Sequence, residues 1–351
     1  MPPGPTLTSR ESTRSQGVAD ATPLDGVDLL LADLDGVVYQ GPDAIPFAVD
    51  ALNRAAERLR VGYITNNASR TAASVASHLT SLGLEVSASD VVTSPQAAVR
   101  LLATLVPTGS RILVVGGEGL TSEVTKAGFV VTDSALDSPA AVVQGFAPEV
   151  GWTQLAEASF ALHTGIPWVA TNTDWTIPVA RGIAPGNGTL VSAVHSAVGR
   201  LPVVAGKPEV AIFEEAVTRF GATKTLFLGD RLDTDILGAN RAGISSALVL
   251  TGIDRAKQVL AADKDSRPTF ILEDLRQLHE PYPETIETTL PTGDRSFRVG
   301  SAVVILSGSV LSIRTPGELR VDLLRAGAAA IWGSGLAIYG LDVPAELHSE
   351  G

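Results

Sequence analysis

Cysteine is absent from the 351 residues, which excludes disulfides and thiol chemistry. Histidine occurs only five times and at no ligand spacing; His163 and His195 lie in apolar helical contexts that suit packing or surface roles. Positive charge is scarce, since 26 Lys and Arg stand against 38 Asp and Glu for a formal net charge of -12. A nucleic acid or an anionic membrane would repel such a chain, so neither is an expected partner, and local basic groups must attract any anionic substrate. A membrane span is lacking too. The uncharged run 326–341 falls short of the roughly 20 residues a span needs and is broken by Gly327, Gly333, Gly335 and Gly340. The first residues are rich in Pro, Ser, Thr and Gly without an apolar h-region, so no secretion signal is read and a cytoplasmic enzyme is expected. Two cofactor motifs also fail. Gly116-Gly117-Glu118-Gly119 lacks the G-x-G-x-x-G order of a dinucleotide site, and Gly206-Lys207 is followed by Pro208 where a P-loop needs Ser or Thr.

What is present centres on Leu31-Ala32-Asp33-Leu34-Asp35-Gly36-Val37-Val38-Tyr39, preceded by Val27, Leu29 and Leu30. A short apolar run without helical period reads as a buried strand, and this one ends in two carboxylates and a glycine. Strand ends are where open α/β sheets bind ligands, so Asp33 and Asp35 would share a crevice. One carboxylate can act as a nucleophile toward phosphorus while the second carries a proton. The spacing alone is weak, because Asp233/Asp235 and Asp263/Asp265 repeat it. Its company is what matters: Thr65-Asn66-Asn67 after a second apolar run, Gly206-Lys207-Pro208 ahead of a helix, and Gly229-Asp230-Arg231-Leu232-Asp233-Thr234-Asp235 after Leu226-Phe227-Leu228.

In this order the set resembles the four motifs of the haloacid dehalogenase-like hydrolases. The surrounding wording is similar to that of their large-cap phosphatases, which include p-nitrophenyl, phosphoglycolate and glycerol-3-phosphate phosphatases. The resemblance covers roughly 25–280. It implies Asp33 as nucleophile and Asp35 as the acid that protonates the leaving alkoxide and then activates water. It further implies Thr65, Asn66 and Lys207 as phosphate-binding residues. Magnesium would be held by Asp33, the Asp35 main-chain carbonyl and Asp230, with Asp235 behind them on Lys207 or a metal-bound water. Asp233 reads as a helix cap. In the inserted unit, Asn172 and Asp174 are placed to reach substrate hydroxyls, with a plain strand-to-loop turn as the alternative for Asp174. The leading substrate is glycerol 3-phosphate, and 2-phosphoglycolate or another small sugar or polyol phosphate is the alternative. A phosphate-binding sensor or scaffold, and a phosphotransferase, remain as rivals from other classes. The expected partner is a small phosphorylated metabolite, with a homo-oligomer through the cap or C-terminal domain left open.

The expected fold class is α/β: a Rossmann-like parallel sheet core with an inserted α/β cap domain and a small C-terminal α+β appendage. The boundaries are a disordered tail 1–25, a core 26–92 and 205–280, a cap 93–204, a linker 281–295 and a C-terminal domain 296–351. Strands are expected at 61–64, 90–92, 111–115, 140–143, 168–170, 225–228, 246–250 and 269–272. Helices are expected at 48–59, 71–82, 121–127, 152–162, 209–220, which Pro208 would open, and 236–241. In the last domain, strands 298–299, 302–306 and 310–313, a helix 316–330 and a final strand 336–339 faintly resemble part of an acetyltransferase. No Gly-rich loop opens a helix there to hold a pyrophosphate, so a catalytically silent unit is expected.

Overall fold

A computed structural model describes residues 21–179 and 181–349, and residues 1–20 of the expected tail lie outside them. Leu29–Ala32 is central in a sheet of six parallel strands. The spatial order is Phe270–Leu272, Ser245–Val249, Thr225–Gly229, Leu29–Ala32, Arg60–Thr65 and Val91–Thr93. All four residues of the central strand are fully buried, which is why it reads as an unbroken apolar run rather than an alternation. Leu30 and Ala32 face the helices Ala48–Ala56 and Ala72–Ser81, while Leu29 and Leu31 face Ser94–Leu105 and Val210–Phe220. The chain leaves the central strand in one direction and returns on its other side at Thr225–Gly229. That reversal opens a crevice at the strand ends.

The inserted segment forms a second parallel sheet, ordered Val203–Val204, Trp168–Ala170, Ala141–Gln144, Arg111–Val115 and Val130–Thr132. One face joins the apolar cluster of Leu29, Leu31 and Ile64; the other is covered by Trp152–Leu162 and Asn187–Val198. The helix expected at 121–127 starts earlier, as Glu118–Lys126. Its glycine-rich start serves close approach rather than a nucleotide: a Cβ on Gly119 would stand 2.6 Å from the Arg70 carbonyl oxygen and 2.8 Å from that of Ala68. An antiparallel hairpin, Thr176–Val179 with Gly182–Pro185, has no counterpart in the sequence expectation. Pro208 also differs, since it lies in the turn ahead of Val210–Phe220 and follows a cis peptide bond.

Past the core, the expected linker 281–295 is structured. Thr285–Thr289 pairs antiparallel with Arg295–Val299 as the edge of a four-stranded sheet completed by Ala302–Ser307 and Val310–Thr315. With a single apolar residue, Ile286, this strand shows no alternation in sequence and is held by backbone pairing. The expected strand 336–339 is instead loop and the 3-10 turn Ile338–Gly340, and Asp342 makes the bridge to Val310. The helix Arg320–Gly333 packs on this sheet. Phe297, Val304, Leu324 and Ile331 share one apolar cluster with Leu232, Ile236, Leu248, Val259 and Leu260 of the core. Arg325 ties the two together: it donates to the Ile271 carbonyl at 2.9 and 2.6 Å, pairs with Asp322 at 2.7 Å and covers the Tyr282 ring.

Because this cluster is shared, Phe297→Ala should lower stability by about 3–5 kcal/mol. The whole urea transition should shift, with circular dichroism and the fluorescence of buried Trp168 and half-buried Trp332 moving together. A separate, earlier transition confined to one probe would show that the last unit folds apart from the core.

Candidate active site

Three strand ends converge in the crevice. Asp33 follows Ala32, Thr65 ends the neighbouring strand, and Asp230 follows Gly229 on the other side. The Asp33 N–H donates to the Leu228 carbonyl at 2.9 Å, which carries the pairing one residue further and sets the Asp33 and Asp230 side chains close together. Lys207, from the turn before Val210–Phe220, reaches between the acids. Its Nζ lies 2.6 Å from Asp33 Oδ1 and 2.7 Å from Asp235 Oδ1, in a pocket that leaves the lysine 3 % exposed. Asp235 is placed by a π-helical turn, Leu232–Ile236, so that its Oδ2 accepts the N–H groups of Asp230 and Arg231 at 3.1 and 3.2 Å. The Asp230 carboxylate accepts the Ile253 N–H at 2.7 Å.

The charges explain one another. Burial alone would push the Lys207 ammonium toward losing its proton, but Asp235 and Asp33 outweigh it and hold the pKa above the ordinary range. Burial raises the Asp33 carboxyl well above its usual value, with Asp235 adding to the rise and Lys207 opposing it. Asp230 is pushed up to about 7, first by burial and then by Asp235. Asp35 lies at the open end, and its carboxyl is raised by desolvation against the pull of Lys207, Arg70 and His78. A carboxyl held toward its protonated form is what a proton donor requires.

The other sequence candidates divide. The Thr65 hydroxyl oxygen accepts the Asn67 N–H at 3.1 Å and keeps its own O–H to donate. The Asn66 amide does not face the crevice as a free donor, because Lys207 and Asp174 engage it. Asn172 is 4 % exposed, with its Nδ2 on the Asn66 carbonyl and its Oδ1 on the Asp174 N–H, so it braces a turn. Asp174 sits half-buried on Asn66. Asp233 does not cap the helical turn; it pairs with Arg231 at the surface, and Asp254 accepts the Leu232 N–H at 2.6 Å in its place. Asp254 was overlooked in sequence, although an acid just beyond the strand Ser245–Val249 stands at the same edge as the others. Ser94, fully buried, donates to the Asn66 carbonyl at 2.7 Å; the helix Ser94–Leu105 that it opens has no counterpart among the expected elements.

Carboxylate oxygens of Asp33, Asp230 and Asp235 all lie within 4.8 Å of one another. Only oxygen donors are offered, so the set fits a hard divalent cation such as magnesium. Crowded acids with raised pKa values make a signed prediction. A folded-state pKa raised from 3.8 to about 7 contributes stability that is full below about pH 4 and is lost as pH rises through 7. In EDTA, Asp230→Asn should therefore gain in Tm over the wild type as pH rises from about 4 to 8, and excess magnesium should reverse the order. A Tm difference that ignores both pH and metal would contradict this electrostatic picture.

Comparison with known proteins gives the chain's family. A family model for haloacid dehalogenase-like hydrolases matches residues 30–130, and a second, for hydrolases like them, matches 204–278. The chain is 43% identical over 305 residues to D-glycerol 3-phosphate phosphatase of Mycobacterium tuberculosis, covering 87% of this chain and 86% of that one. It is 33% identical over 253 residues to acid sugar phosphatase of Staphylococcus aureus, covering 70% and 95%. Among solved structures, glycerol phosphate phosphatase from M. tuberculosis in complex with magnesium superposes with a TM-score of 0.79 at 39% identity, covering 90% and 93%. The p-nitrophenyl phosphatase from Archaeoglobus fulgidus gives 0.67 at 27%, covering 72% and 98%. The chain belongs to the haloacid dehalogenase-like hydrolase family, among its phosphatases.

Proposed function

We propose that the chain is a magnesium-dependent phosphatase of small phosphate monoesters, glycerol 3-phosphate foremost, working through a phosphoaspartate on Asp33. The observation that carries this reading is the buried Lys207 ammonium held between Asp33 and Asp235 beside Asp230. Similarity to the M. tuberculosis enzyme supports the substrate. Residues 26–92 and 205–280 supply the chemistry, 93–204 act as the cap, and the C-terminal unit is catalytically silent.

In the first half-reaction an Asp33 oxygen bonds to phosphorus, the ester P–O bond breaks, and the leaving alkoxide takes the proton of Asp35. Lys207, the Thr65 hydroxyl and the main-chain N–H of Asn66 oppose the negative charge on the phosphoryl oxygens. In the second, water attacks phosphorus, Asp35 removes its proton, and the bond to Asp33 breaks to release inorganic phosphate. Asp33, the Asp35 carbonyl and Asp230 would hold the magnesium ion, which when bound offsets the charge of phosphate and carboxylates.

Phosphate release from glycerol 3-phosphate should require magnesium and stop in EDTA, and kcat/KM should exceed that for 2-phosphoglycolate. Preference for 2-phosphoglycolate would overturn the substrate, and no release from any ester would favour a binding role. Asp33→Asn keeps the shape but cannot attack phosphorus, so its rate should fall below about a hundredth of wild type.

A further inference from the structure

The side chain of Asn66 is placed to do something other than bind phosphate. Its Oδ1 accepts the Lys207 N–H at 2.9 Å, and its Nδ2 donates to the Lys207 carbonyl at 3.1 Å. One amide thus grips both backbone groups of a residue 141 positions away, as a neighbouring strand would. The second Nδ2 hydrogen points to Asp174, whose two oxygens lie at 3.2 Å each. The Asn66 carbonyl is held in turn by Ser94 and Asn172, both at 2.7 Å. The approach is tight. A Cβ on Gly206 would stand 2.6 Å from Asn66 Oδ1 and 2.4 Å from the Thr171 carbonyl oxygen, so only glycine lets the Lys207 backbone reach this amide.

The consequence follows from what Lys207 does. Its ammonium bridges Asp33 and Asp235, and a long flexible side chain is only as well placed as the backbone that carries it. Two bonds to the Lys207 backbone set the plane of the Asn66 amide, and Asp174 of the cap takes its remaining Nδ2 hydrogen and so holds it against turning away. We infer that Asn66 is a positioning residue for Lys207, and that Asp174 acts on the reaction through Asn66 rather than by touching the substrate. This deepens the proposed function by assigning a cap residue to the shared phosphate site instead of to substrate choice.

The distinction is measurable with Asp174→Ala, Asp174→Asn, Asn66→Ala and the Asp174→Ala/Asn66→Ala pair. A group acting through Lys207 affects the phosphoryl end that all substrates share. Asp174→Ala should lower kcat/KM about tenfold on both glycerol 3-phosphate and p-nitrophenyl phosphate, leaving their ratio within about twofold. Asp174→Asn keeps an acceptor for the Asn66 N–H and should recover at least about half of the wild-type value. The double variant should be no worse than Asn66→Ala by more than about twofold, since residues acting as one unit are not additive. Affinity for inorganic phosphate, read by calorimetry with magnesium present, should follow the same order, and it tests the linkage even if no ester proves to be a substrate. A change of more than about fivefold in the substrate ratio, full additivity, or wild-type behaviour of Asp174→Ala would each overturn the inference.

Discussion

The Lys207 ammonium, buried between two carboxylates, is the interaction on which the site depends. A lone charge in that setting would be strongly disfavoured, and so would the pair of acids without it. Each makes the other tenable. The lysine stays protonated because Asp235 and Asp33 face it, and Asp33 stays near the crevice because Nζ engages one of its oxygens. The cluster remains short of positive charge, with Asp230 raised to about 7. That shortage makes the site receptive to a divalent cation, and the cation together with Lys207 would then offset the repulsion that the chain's overall charge presents to an anionic substrate.

Everything around this charge cluster supports it by backbone. The parallel sheet sets Asp33, Thr65 and Asp230 at the ends of three adjacent strands, the π-helical turn aims Asp235 back at its own start, and the Asn66 amide holds Lys207. The cap rests on the same loop, with Gly119 against Ala68 and Arg70. On the opposite flank, Leu232 and Ile236, the apolar residues of the turn that carries Asp235, are buried in the cluster shared with the C-terminal sheet and helix. The site is therefore clasped between the inserted unit and the last one.

Much of this was legible in sequence, for physical reasons. Strands buried on both faces leave unbroken apolar runs, so Leu29–Ala32 and Thr225–Gly229 stood out, and the acids that follow them marked the crevice. The helix Ser94–Leu105 went unread although its apolar residues are helically spaced, while other features were held by contacts that carry no periodic signal. Thr285–Thr289 is an edge strand with one apolar residue, and its pairing partner alone gives it away. Asp254 takes the capping place expected of Asp233, because capping depends on which acid meets the Leu232 N–H in space, and Asp254 lies 22 residues away. Asn66 and Asn172 read as phosphate and substrate ligands because sequence names the residue type at a loop but not which way its amide turns.

The central claim is that phosphorus becomes covalently bound to Asp33. Rapid acid quench of the enzyme turning over an ester carrying radioactive phosphorus, followed by peptide mapping, tests it most directly. The account predicts a label that survives acid, is lost in mild base as an acyl phosphate must be, and maps to the peptide carrying Asp33. Turnover without any such label, or a label on another peptide, would contradict it.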